Sequence, residues 1–134
     1  MKSKDQIRIM DEIFTKCIDT HEEGQKEYAG DSNDVFANFK RVAKQTNLDR
    51  MQVLQVYLLK HIDGIGNYIK GYETQREPIQ GRIIDAIVYL TLLWGMIQEG
   101  KEWEERNPRD NVNMTPFPGI EPIHKGFVED PDAE

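Results

Sequence analysis

Apolar residues return every three or four positions along most of this chain, the period of a helix face. Over about residues 4–28 the repeat runs Ile7, Met10, Ile13, Phe14, Cys17, Ile18 and His21. The stretch "AGDSND" interrupts it: Gly30 acts as a stop, and Asp31 to Asp34 offer side chains that cap a following helix. A second helix over about 34–45 presents Val35, Phe39, Val42 and Ala43 to the core, with Phe36 beside them. "TNLD" caps a third over about 49–70, whose main stripe is Leu54, Leu58, Ile62, Ile65 and Ile69. After the turn "KGYETQRE", Pro78 suits the first position of a fourth helix that runs to about 105. No segment of useful length alternates with the two-residue period of a strand, and no internal repeat occurs. The pattern predicts an all-α domain folded as a four-helix bundle, with breaks near 29–33, 46–48 and 71–77.

The last segment breaks this pattern. Five of the six prolines lie in residues 107–134, among Phe117, Ile120, Ile123 and Phe127. A purely disordered tail is poor in aromatics and isoleucine, so two readings stand side by side: a disordered acidic tail, or an extended arm that docks on a bundle. The expected organisation is a helical bundle over 1–106 and a proline-rich acidic C-terminal arm over 107–134, the arm crossing to a neighbouring subunit.

Charge and cysteine narrow the class. The formal charge is −7. In 107–134, Arg109 and Lys125 stand against six carboxylates, so −4 of it belongs to the tail. No basic block exists for neutralising phosphates, which argues against a sequence-specific duplex-DNA binder. The single cysteine, Cys17, fits a reducing compartment and reads as a small buried hydrophobe rather than a nucleophile. The start "MKSKDQIRIMDEIF" lacks the apolar centre of a signal peptide. The longest apolar run, 83–97, is interrupted by Asp85 and falls short of the roughly 20 residues of a bilayer span. A cytoplasmic protein without a membrane partner is expected.

The chemistry sits in polar residues on otherwise apolar helices. On a helical wheel, Arg82, Asp85, Tyr89, Leu92 and Met96 share one ribbon of the fourth helix. The third repeats the idea with Tyr57, His61, Gly64 and Tyr68, and Lys60 alongside. Gly64 and Gly66 each cost about 1 kcal/mol inside a helix relative to alanine, which points to close helix approach or a hollow. An Arg and an Asp three apart often only satisfy each other, and a histidine beside an apolar stripe is usually a bonded core residue. Taken together with Asp34 and Asn38 at the start of the second helix, they suggest a shared cavity. There Lys60 and Arg82 suit phosphate, Asp85, Asp34 and Asn38 suit ribose or base edges, and Tyr57 or Tyr89 supplies a stacking face. In "HEEGQKEY", Glu23 and Glu27 lie four apart with His21 near them, but the sequence does not assemble three hard-oxygen ligands. No resident metal is therefore expected; Glu23, Glu27 and Asp85 are the weak candidates for one.

The run from "KEYAGDSNDVFANFK" through "LLKHIDGIGNYIK" to "GRIIDAIVYLTLLW", residues 26–94, resembles the nucleotide modification associated domain family, small phage and bacterial proteins. The resemblance implies an association with phage nucleotide metabolism or DNA modification. The recurring polar residues of its blocks fall on Asp34, Asn38, Lys60, His61, Asp63, Arg82 and Asp85. A looser likeness is to MazG-type all-α nucleotide pyrophosphohydrolases, which implies magnesium held by paired ExxE and ExxD helices. Asp85 falls on the aspartate of that pattern, but Arg82 stands where its glutamate is expected, and Glu23 and Glu27 are spaced by four. That metal cage is incomplete, and without a divalent ion phosphoanhydride hydrolysis loses its main charge stabilisation.

The expected function is capture, without turnover, of a small nucleotide such as a cyclic nucleotide or an ADP-ribose-like signal, by a phage-type homo-oligomer acting against host defence. The alternatives are a magnesium-dependent nucleotide hydrolase, an accessory protein of base modification, and a protein-interaction module acting through the arm.

Overall fold

In the computed structural model, residues 1–72 and 76–106 are described, with backbone alone for 102–106. The expected arm over 107–134 lies outside the described residues. Four helices follow one another: α1 (Ser3–Gly24), α2 (Ala37–Thr46), α3 (Arg50–Ile69) and α4 (Ile79–Arg106). Among the described residues there is no strand, and the fold class is all-α. The chain divides into two units, Met1–Met96 and Ile97–Glu134, with the boundary inside α4. All packing described below belongs to the first.

Local chemistry explains the helix ends. α1 runs on into a π-helical turn, Gln25–Ala29, which stops at Gly30, whose φ of 58° lies in the left-handed region open to glycine. The segment then turns at Asp34, which defers the start of α2 from the expected residue 34 to Ala37. The Asp34 carboxylate accepts the Phe36 N–H at 2.9 Å, and its carbonyl accepts the Ala37 N–H at 3.0 Å. Asn47, in the left-handed conformation, ends α2. Asp49 then caps α3 by accepting the N–H groups of Met51 and Gln52, while Gln52 Oε1 accepts the Asp49 N–H. This reciprocal box places the α3 start where "TNLD" predicts it.

Two apolar clusters hold the unit together, and α4 belongs to both. One joins Phe36 and Phe39 to Val53 and Leu54 of α3 and Met96 of α4. The other joins Cys17 of α1 to Ile84 and Val88 of α4; Leu92 packs against each cluster. Cys17 is buried and free, and burial pushes its thiol pKa up, in keeping with an inert role. The inward face of α3 differs from the expected stripe. It centres on Val53, Leu54, Tyr57 and His61, and turns Ile62 and Ile69 outward. On α1, Ile7, Met10, Phe14 and Ile18 are exposed; on α4, Ile83, Leu90 and Trp94 are, with Trp94 75% exposed.

One expectation about α4 is corrected. Its segment Ile79–Lys101 is long and apolar enough, by length and composition alone, to cross a membrane, the mean hydropathy of its most apolar 18 residues being 1.3. The helix extends past both ends of the apolar run 83–97, so that run understates its length. The same helix nevertheless buries Ile84, Val88 and Met96 against α1, α2 and α3.

Candidate functional site

The inward ribbons of α3 and α4 meet as antiparallel neighbours and form three rungs. Tyr57 faces Tyr89, with ring centroids 6.2 Å apart. One turn along, His61 Nδ1 lies 3.6 Å from Asp85 Oδ2. At the third rung, Arg82 lies across Gly64: a Cβ there would sit 2.7 Å from both Arg82 Cδ and Nη1. The residues are spaced four then three apart on α3 and three then four apart on α4, the spacing that keeps each set on one face. Gly64 therefore makes the hollow that its helix-breaking composition suggests, and Arg82 fills it.

Aromatic packing fixes the lower rungs. Phe39 of α2 lies within 6.0 Å of Tyr57 and 6.2 Å of Tyr89, and the His61 ring sits 5.5 Å from that of Tyr89. Burial pushes the His61 pKa down, and the nearby Asp85 charge only partly opposes it, so the imidazole is neutral at neutral pH. Burial likewise raises the Tyr89 pKa, with Asp85 adding to it. Two polar atoms of the ladder, His61 Nδ1 and Arg82 Nε, are buried without a hydrogen-bond partner. Native proteins satisfy nearly all such atoms, so two on adjacent rungs single this corner out as the candidate site.

A cavity of about 320 Å³ adjoins the corner. Lys16, Asp19 and Glu23 of α1 line one side, and Gln80, Ile84 and Asp85 of α4 the other. Asp85 is thus common to the cavity and the ladder. Its volume lies at the small end of ligand pockets.

The structure sorts the sequence candidates. Tyr57, His61, Arg82, Asp85 and Tyr89 come together in the ladder. Lys60 is exposed on α3 beside it, close enough for its charge to act on His61, and Asp63 is exposed. Glu23 reaches the cavity, whereas Glu27 bonds the Tyr28 hydroxyl and raises its pKa. Asp34 and Asn38 are engaged locally instead. Lys40 Nζ donates to Asp34 Oδ2 at 2.6 Å, and Arg41 Nη2 to Asn38 Oδ1 at 2.5 Å. Burial pushes the Asp34 carboxyl up, but the Lys40 ammonium and the Phe36 N–H outweigh it and hold the pKa below its ordinary value. Two neighbours of Asp85 escaped the sequence reading. Glu77 offers a ligand atom which, with those of His61 and Asp85, forms a set all within 4.8 Å of one another. Tyr28, on the π turn, feels the Asp85 charge. No helical period reaches Glu77, which precedes α4, and a regular wheel misplaces a residue on a π turn.

Compared with known proteins, the chain matches no family model, no curated protein and no solved structure.

Proposed function

We propose that the chain is a four-helix bundle that binds a small nucleotide at the α3–α4 corner and does not turn it over. The observation that carries this reading is the buried Arg82 Nε without a partner, on the same face of α4 as Asp85, the one ladder residue that lines the cavity. An unsatisfied buried donor costs about 1–3 kcal/mol, and more on a charged group, unless a ligand accepts its hydrogen bond. Arg82 with the neighbouring Lys60 would hold phosphate, Asp85 would accept hydrogen bonds from sugar hydroxyls or a base edge, and Tyr57 or Tyr89 would border the base. Asp34 and Asn38, paired with Lys40 and Arg41, take no part.

The proposed ligand class is a cyclic nucleotide or an ADP-ribose-like signal captured in the host cytoplasm against defence; the family resemblance itself implies only an association with phage nucleotide metabolism or DNA modification. A hydrolase is the second reading, favoured by Glu23 and Asp85 sharing the cavity. The test is the double variant Arg82→Met, Asp85→Leu, assayed for folding and against a nucleotide library for both binding and product. Charge-assisted contacts of this kind are worth about 1.5–3 kcal/mol, or about ten- to a hundredfold in affinity. Retained folding with binding lost by that factor is expected. Retained binding rejects the site, and product formation by the parent chain selects the hydrolase.

A further inference from the structure

The His61–Asp85 rung has an unusual distance. At 3.6 Å the two atoms are too far apart for a hydrogen bond, and His61 Nδ1 has no other partner. Yet the His61 side chain is only 7% exposed. A buried imidazole nitrogen aimed at a carboxylate and left without a hydrogen bond wants an atom between them. Bonds of about 2.1 Å to a tetrahedral ion put two ligand atoms roughly 3.4 Å apart, close to what this rung shows. Glu77 completes the set, since all three ligand atoms lie within 4.8 Å of one another.

We propose that His61, Glu77 and Asp85 bind a divalent first-row transition-metal ion. The donor set selects the ion's class. An imidazole with two carboxylates suits zinc, iron or manganese, whereas magnesium and calcium favour all-oxygen sites. Two carboxylates balance the charge of the ion, and the Tyr89 ring packs beside the imidazole, tilted by 33° with centroids 5.5 Å apart. Glu77 is exposed and the Asp85 side chain is 34% exposed, which gives the ion a way in from solvent. Three protein ligands leave at least one coordination position open for water or a phosphate oxygen. The site shares Asp85 with the nucleotide reading but does not rest on it, and it is tested with no nucleotide present.

The experiment titrates the full chain, stripped with a chelator, with Zn²⁺ by calorimetry and with Co²⁺ by visible absorption. One ion per chain is expected, with Co²⁺ bands of a low-coordinate nitrogen–oxygen site. Glu77→Gln, a surface change that leaves the helices intact, and His61→Gln should each weaken binding by about tenfold or more, while His21→Gln should not. Three outcomes would overturn the proposal. They are no binding at millimolar ion, wild-type affinity in both Glu77→Gln and His61→Gln, or Mg²⁺ bound as tightly as Zn²⁺.

Discussion

One hydrogen atom in place of a methyl group shapes the corner. Arg82 occupies the space a Cβ on residue 64 would need, and its reach is flexible, so Gly64→Ala would displace it rather than unfold the chain. The alanine gains about 1 kcal/mol of helix propensity, which offsets much of that displacement. Thermal unfolding of Gly64→Ala should stay within about 1 kcal/mol of the parent. Nucleotide affinity, measured on the same sample, should fall about tenfold if Arg82 holds phosphate. Asp34 carries a different residue-scale prediction. Its folded pKa lies below the ordinary 3.8, so its contribution is fully present above that value and is lost as pH falls through the folded one. Asp34→Asn should therefore lower Tm at pH 6, and the gap to the parent should close on acidification below 3.8. A gap unchanged by pH would show that the Lys40 pair contributes nothing.

At the scale of elements, the caps and the aromatic step between helices explain which boundaries were readable. "TNLD" was legible as the cap that opens α3 at Asp49, while the left-handed stop at Asn47 and the box partner Gln52, three residues beyond the cap, emerge from the structure. "AGDSND" was less so, because its aspartate serves a turn and Lys40 instead of opening a helix. Removing the α3 cap with Asp49→Ala should cost about 1 kcal/mol. Leu54→Ala, at a side chain 1% exposed between three helices, should cost about 2–5 kcal/mol. Urea denaturation of the two variants checks both magnitudes and their order.

For the whole molecule, periodicity fixed the helix count and the ribbon of α4 that turns inward, from Arg82 to Met96. It could not say how much apolar surface one chain covers. Ile7, Met10, Phe14 and Ile18 make a continuous exposed stripe on α1, and Ile83, Leu90 and Trp94 make another on α4. Contiguous apolar patches of this kind mark interaction surfaces, and a homo-oligomer is the expected outcome. Sedimentation of the parent chain should give at least a dimer, and Phe14→Glu or Trp94→Glu should lower the mass toward that of one chain. Deleting 107–134 asks separately whether the arm takes part; an unchanged mass would exclude it. The metal set was illegible for a related reason: Glu77 joins His61 and Asp85 only through the path of the chain into α4, and no spacing rule encodes that path.

The π turn at Gln25–Ala29 bears on which changes in chain length the protein could survive over evolutionary time. A π turn is a helix that has taken in one residue more than its α-helical period and confined the disturbance to a single coil. Gain or loss of a residue there alters the direction of Tyr28 and leaves Cys17 upstream and Phe36 downstream in phase. The same event inside α4 has no such relief. One added residue between Asp85 and Tyr89 turns everything beyond it by about 100°, so Tyr89 and Met96 would leave the face that Tyr57 and Leu54 meet. Related chains should therefore vary in length around residues 25–29 and hold the interval from Arg82 to Met96 constant.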